Sequence, residues 1–332
     1  MRVLFAGSPA IAVPCLETLF RHPDIELAGV LTNPDSARGR SAHASATARA
    51  CAQPTEVGEA ALKLDLNLPV LKPLKLDAAA REQVSGLKCE LLVSFAYGRI
   101  FGPKFLELFP LGGINIHPSL LPKYRGPTPI QAAILNRDKV TGITIQILAQ
   151  EMDSGDILTA EQLQLTGGET AGSLSEIAAA KAAKMLPDVL QKIAAGTAQK
   201  IPQNHDKASY CRLLSKEDGL INWSRSAVEI EAGIRAFNPW PLCRTIHNER
   251  ELIILKADVF TGEFPVDRKE EAGNCAEELP GQVLGIDKKD GILIQTGEGI
   301  LAVTELQYQQ KKAQMWRDFF NGARNFTGSR LG

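Results

Sequence analysis

The chain has 332 residues, 44% of them hydrophobic and 23% charged, with a formal net charge of −1. That length allows two domains with sizeable cores, and that composition is the one expected of an ordinary globular protein. A nearly balanced charge spread evenly along the chain leaves no overall footprint of a nucleic-acid binder, so any RNA contact would rest on local patches.

Val3–Ala6 is a short apolar run closed by Gly7-Ser8-Pro9, and "AIAVPCLETLFRH" behind it carries apolar positions at helical spacing. This predicts a strand–helix start. No G-x-G-x-x-G follows the strand. The Gly-Ser-Pro turn reads as a connector, with anion binding at the helix start as the alternative. "IELAGVLTN", "ELLVSFAYG" and "GINIHPS" read as the second, third and fourth strands. "TPIQAAILNR" reads as a helix with Thr128 as N-cap and Pro129 at its first position. Strands "GITIQILAQ" and "ILTAEQLQL" follow, then a long helix near residues 173–195. Strands alternating with helices predict a doubly wound, Rossmann-like α/β domain over residues 1–190.

Residues 191–209 are small and polar and read as a linker. Beyond them the pattern changes to short strands joined by Asn-, Asp- and Gly-containing turns, preceded by one helix, "SAVEIEAGIRAF". "IHNERELIIL" reads as a hairpin. An OB-like β-barrel is expected over residues 210–320, an architecture that binds oligonucleotides in some proteins and is purely structural in others. Residues 263–280 read as a solvated acidic loop. "FNPWP" reads as structural, with Trp240 buried against the barrel.

None of the six cysteines lies at CxxC spacing and the five histidines form no HxH or HxxxH pair, so buried reduced thiols and no metal site are expected. The chain opens on a strand without a signal or transit segment, and no apolar run approaches ~20 residues. A cytoplasmic protein without membrane attachment is expected.

The chemistry concentrates at the end of the fourth strand, where ligands of open α/β sheets sit. Asn115 and His117 are two apart, so on an extended strand they share a face. The amide can donate to a carbonyl oxygen, and the imidazole can donate to or exchange a proton with the same centre. "QEMDSGDIL", after the fifth strand, offers Glu151, Asp153 and Asp156. A carboxylate beside His117 would orient the ring and stabilise its protonated form. No Ser or Cys is set up as a nucleophile, so the pattern suits direct transfer of an acyl or formyl group to an external amine. A histidine in a Pro-rich loop bonded to its own backbone would show the same sequence.

"INIHPSLLPKYRGPTPI" resembles the formyltransferases that use 10-formyltetrahydrofolate. In them an Asn-x-His pair followed by Ser-Leu-Leu-Pro is joined by a distant Asp in a D-x-G-D/Q turn. Here these are Asn115 and His117, Ser119 to Pro122, and Asp153-Ser154-Gly155-Asp156. The similarity runs nearly end to end, from "RVLFAGSP" through "VSFAYG" to "LSKEDGLINWSRSAVEIEAGIRAFNPWP". The resemblance implies that Asn115, His117 and Asp153 are catalytic, with Asn115 and a protonated His117 stabilising the oxyanion and Asp153 holding the ring charged. It implies a folate pocket formed by Ser119, Leu120, Leu121, Pro122, Phe95, Tyr97 and Gly98. The donor is then 10-formyltetrahydrofolate and the acceptor the α-amino group of methionine on initiator methionyl-tRNA.

By the same resemblance the loop after the second strand reaches the tRNA acceptor stem. Arg40 is the main expected contact, with Arg38, Lys207 and Arg235 in support. After Gly39-Arg40 the sequence reads Ser41-Ala42-His43 where better-known members carry Lys-Lys, and residues 50–69 also depart from the usual pattern, reading as an insertion. A monomer without metal is expected. Alternatives are a formyltransferase for glycinamide ribonucleotide or an amino sugar, a 10-formyltetrahydrofolate hydrolase, and a non-enzymatic RNA-binding protein.

Overall fold

The computed structural model describes residues 1–36, 52–262, 279–323 and 325–332. Arg38, Arg40, Arg49, Cys51, Cys275 and most of the acidic loop lie outside the described residues. The chain forms two compact units, one of Met1–Ile130, Lys139–Leu165 and Ser173–Leu213, the other of Gln131–Asp138, Thr166–Gly172 and Leu214–Gly332.

The first unit is built on β1 (Arg2–Gly7), α1 (Val13–Arg21), β2 (Glu26–Leu31), α2 (Glu56–Leu64), β3 (Val70–Leu71), α3 (Ala78–Gly86), β4 (Leu91–Phe95), α4 (Pro103–Leu106) and β5 (Gly113–His117). After α5 (Pro129–Leu135) come β6 (Val140–Ile147), β7 (Ile157–Gln164) and α6 (Ala171–Ala194). Strand order is β3-β2-β1-β4-β5-β6-β7. The strands from β3 to β5 run parallel, whereas β6 and β7 are antiparallel to their neighbours. The sheet is therefore mixed. Alternation of strands and helices along the sequence does not encode the direction in which β6 re-enters. β1 and β4 read as near-continuous apolar runs because both are buried along almost their whole length.

Three elements between the second strand and β4 were not foreseen. α2 is capped by the Thr55 hydroxyl, which accepts from Gly58 N, and α3 by Asp77, which accepts from Ala80 N. α2 falls in the stretch expected to be an insertion, yet Val57 and Ala61 on it are fully buried. The two-residue β3 is too short to leave a periodic signal. Cys15, Cys89 and Cys243 are buried, and burial pushes the Cys89 thiol up to about 11 and that of Cys243 up to about 12.

The second unit contains α7 (Ala227–Ala236), β8 (Cys243–His247), β9 (Arg250–Val259), β10 (Val283–Asp287), β11 (Gly291–Gln295), β12 (Ile300–Tyr308), β13 (Gln314–Met315) and α8 (Trp316–Gly322). α7 opens on a capping box between Ser226 and Glu229. β8 and β9 form the expected hairpin. Its two turn residues, Asn248 and Glu249, have φ of +47° and +62°, the positive pair a type I′ turn requires. The antiparallel order is β10-β11-β12-β9-β8. The last residues join its two edges: Val283 N donates to Ser329 O at 2.9 Å, Leu331 N to Gly281 O at 2.8 Å, and Gly332 N to Ile246 O at 3.1 Å. The C-terminal segment thereby bridges β10 and β8 into a barrel-like ring.

Trp240 departs from expectation. It lies on the Pro-bracketed turn between α7 and β8, which turns the indole outward, and it is 51% exposed. The buried indoles of this unit are Trp316 and Trp223, the latter donating from Nε1 to the Thr245 hydroxyl at 3.0 Å.

Candidate active site

Asn115 and His117 lie at the carboxyl end of β5, with Asn115 paired opposite Gln146 on antiparallel β6. The turn after β6 carries Asp153 back to them. Asp153 Oδ1 accepts from Asn115 Nδ2 at 3.3 Å and from Gln146 Nε2 at 3.0 Å, and Oδ2 accepts from the Gly126 amide at 2.8 Å. The same Oδ2 lies 3.6 Å from His117 Nδ1, and His117 Nε2 lies 2.9 Å from the Tyr124 carbonyl. Both ring nitrogens thus face acceptors. The donors reaching the Asp153 carboxylate are Asn115, Gln146 and Gly126. Glu151 and Asp156 enter this turn through their carbonyls, which accept from Ser154 N and Ile147 N.

Two glycines make the approach possible. Gly126 has φ +115°, and a Cβ there would strike the Cys211 carbonyl; a Cβ on Gly155 would strike the Ile147 carbonyl. Asp153 itself has φ +52°, a left-handed conformation that a non-glycine residue holds only where its surroundings fix it.

His117 is 4% exposed. Burial is the largest influence on its imidazole and lowers it below the ordinary value, while the Asp153 carboxylate and the Tyr124 carbonyl pull it back up. Burial thus works against the charged ring that the Asp153 carboxylate was expected to hold. Removal of the ring from water outweighs the carboxylate at 3.6 Å.

The Ser119–Pro122 segment is held from below. Ser119 Oγ donates to Lys123 O at 2.5 Å, the Thr144 hydroxyl donates to Ser119 O at 2.7 Å, and Leu121 N donates to that hydroxyl at 3.1 Å. Phe95 and Tyr97 are buried in the core, where Tyr97, Phe101, Phe105 and Phe109 stack in series at 5.3, 5.3 and 5.9 Å. Burial alternates along this loop, so its exposed positions are Ala96, Gly98 and Ile100. Phe95 and Tyr97 are closed off entirely, and the Tyr97 carbonyl accepts from Asn33 Nδ2 at 2.9 Å, so of the expected folate residues in this loop Gly98 is the exposed one. Lys207 is exposed. Arg235 is engaged in an ion pair with Glu231 and donates to the Glu169 carbonyl at 3.2 Å, so its charge is compensated within the unit. Among the described residues no group of three His, Cys, Asp or Glu could hold a metal ion, and no helix is long and apolar enough to cross a membrane.

Gln146, Gln203 and Arg125 were not anticipated. Gln203, from the segment read as a linker, donates from Nε2 to the carbonyls of Asp153 and Gly155 at 2.9 and 2.7 Å, and its Oε1 accepts from Arg125 at 2.7 Å. Antiparallel β6 sets Gln146 opposite Asn115, a pairing for which the sequence carries no local signal.

A Rossmann-like mixed sheet that gathers an amide, an imidazole and a carboxylate at the carboxyl end of β5, with a separate antiparallel β domain, defines an enzyme of the acyl- or formyl-transfer class. Residues 1–190 match the family model described as formyl transferase, and residues 213–324 match that of the formyl transferase C-terminal domain. The chain belongs to the formyl transferase family. It is 49% identical over 328 residues to the methionyl-tRNA formyltransferase of Treponema denticola, covering 98% of each chain. It is 42% identical over 335 residues to that of Treponema pallidum, covering 100% of this chain and 99% of the relative. Among solved structures, the N-formyltransferase of Helicobacter canadensis in complex with folinic acid and dTDP-3-aminofucose shares the fold, with TM-score 0.62 and 21% identity over 91% of this chain and 98% of that one.

Proposed function

We propose that the chain transfers the formyl group of 10-formyltetrahydrofolate to the α-amino group of methionine on initiator methionyl-tRNA. Relatives that carry this activity in their names match it over nearly their whole length at 49% and 42% identity. The observation that carries the residue-level reading is the Asp153 carboxylate, which binds the Asn115 amide on one oxygen and faces His117 from the other.

The folate supplies an activated formyl group. Asn115 gives one amide hydrogen to Asp153, and among the described residues its second makes no hydrogen bond. That hydrogen is free for an oxygen gaining negative charge as the amine adds. Because burial favours the neutral imidazole, His117 is set to receive the proton that the attacking amine must lose. The imidazolium so formed is compensated by Asp153. As the tetrahedral adduct collapses, the bond from the formyl carbon to the folate nitrogen breaks, that nitrogen takes the proton back from His117 and tetrahydrofolate leaves. An α-amino group has a reference pKa of about 7.7–8, so a useful neutral fraction exists near neutral pH. Ser119, Leu120, Leu121 and Pro122 wall the donor site, and Gly98 is the exposed residue of the 95–98 loop available to it.

On the acceptor side Arg40, Arg38 and Lys207 are the proposed tRNA contacts. Residues 1–190 form the catalytic domain, 191–209 the connection, and 210–320 the domain that positions the tRNA. The protein works as a cytoplasmic monomer.

The acceptor is tested by supplying 10-formyltetrahydrofolate with initiator methionyl-tRNA, glycinamide ribonucleotide or a dTDP-amino sugar in parallel. Formyl transfer to the methionyl-tRNA alone is expected. Transfer to either small acceptor, or formate release without tRNA, would overturn the assignment.

A further inference from the structure

The Asp153 turn is gripped from outside by a buried amide relay. Gln203 Nε2 donates to Asp153 O at 2.9 Å, to Gly155 O at 2.7 Å and to Gln146 Oε1 at 3.2 Å. Gln146 Nε2 in turn donates to Asp153 Oδ1 at 3.0 Å. The orientation of Gln203 follows from its other end, where Arg125 donates to Oε1 from Nε at 3.1 Å and from Nη2 at 2.7 Å. A guanidinium has only donors, so the amide oxygen must face it and the NH2 must face the turn. Arg125, Gln146 and Gln203 are 1%, 2% and 6% exposed. Arg125 is itself steadied by His205 Nδ1 at 3.2 Å and Tyr210 Oη at 3.2 Å. The residue after it, Gly126, donates to Asp153 Oδ2. Backbone and carboxylate of Asp153 are thus tied to one buried cation through two routes.

We propose that Gln203, locked by Arg125, is a positioning residue for formyl transfer, which together with Gln146 fixes the Asp153 turn and presents its carboxylate to Asn115 and His117. The proposal rests on the reading of Asp153 as part of the reacting site. It gives the segment between the two domains a second task, because residues 201–211 hydrogen-bond to the catalytic unit at Ile157, Arg125 and the Asp153 turn. It also gives a polar group this buried a task. A fully satisfied amide network fixes one conformation, whereas an apolar side chain would leave the Asp153 and Gly155 carbonyls without partners.

The test measures kcat, and KM for both substrates, across pH for Gln203→Met, Gln146→Met and Gln146→Glu, each alone and with Asp153→Asn. The ionisable groups facing Asp153 are His117 on β5 and Cys211, with Arg125 behind Gln203. Each Met variant is expected to lower kcat roughly 10–100-fold, as misplacement of a reacting group does, with both KM values within about twofold of wild type. In the Asp153→Asn background neither should lower kcat further. Gln146→Glu sets a second carboxyl against Asp153 Oδ1 and should move the acidic limb of kcat to higher pH, which a general loosening of the fold would not do. Equal losses in both backgrounds, or no loss in kcat, would overturn the proposal while leaving the site intact. Near-normal turnover of Asp153→Asn would overturn the site reading itself. Should Gln203→Met not fold, the Gln146→Met pair decides by the same comparison.

Discussion

Asp153 Oδ2 and His117 Nδ1 face one another across 3.6 Å, a carboxylate and a buried imidazole too far apart for a direct hydrogen bond but close enough to feel each other's charge. Burial lowers the imidazole and the carboxylate raises it. The first consequence concerns the carboxylate. Asp153→Asn removes the charge that raises His117, so the imidazole should titrate at still lower pH. Histidine-selective NMR across pH measures this directly; an unchanged or raised midpoint would contradict the arrangement.

Stability should carry the same sign. In the unfolded chain His117 titrates near 6.5, and in the folded chain lower. Between those values the unfolded chain binds more protons, so acid favours unfolding. His117 therefore contributes stability that is fully present above about 6.5 and is lost as pH falls through the window below it. Buried His247, also lowered first by burial and then by Arg250, acts in the same direction. Melting temperatures from pH 7.5 down to 5.5 should fall, and His117→Asn should flatten that slope. A slope of opposite sign would refute the assignment.

Gly155→Ala should damage both stability and turnover. The new methyl would meet the Ile147 carbonyl, which is backbone and can yield only by shifting the turn that carries Asp153. Overpacking of this kind costs about 1–3 kcal/mol. Denaturant unfolding and kcat check it together, and full activity would show that the turn adapts freely.

In the barrel, Leu331 is 2% exposed on the segment that ties β10 to β8. Leu331→Ala should destabilise the fold by about 2–5 kcal/mol through the cavity it leaves. Chemical unfolding measures this; a loss below about 0.5 kcal/mol would mean that the segment does not hold the ring closed.

Much of this was readable from residues alone. Period-two spacing put Asn115 and His117 on one face, and the Gly-containing D-S-G-D turn offered carboxylates among which the family resemblance picked Asp153. The hairpin at residues 246–254 was readable because Asn248-Glu249 interrupts two apolar runs. What stayed hidden depended on pairing between distant segments. The antiparallel sense of β6 decides that Gln146 stands opposite Asn115, and no local pattern records strand direction. Gln203 sits in a stretch whose composition says only "linker". Its partners lie about 50 residues or more away. Burial departs from residue type at two positions, in opposite ways. Trp240 is large and apolar yet stays at the surface on a Pro-fixed turn, while Arg125 is charged yet fully buried because its donors are met by Gln203, Tyr210 and His205.

In the proposed mechanism Asn115 gives its second amide hydrogen to the oxygen that gains charge during formyl transfer. Single-turnover transfer from 10-formyltetrahydrofolate to initiator methionyl-tRNA, at saturating concentrations of both, isolates that step in the wild type and in Asn115→Ala. The rate should fall about 10²–10³-fold while the Kd for the tRNA is unchanged. A near-normal rate in the variant, or a loss explained entirely by weaker tRNA binding, would contradict the account.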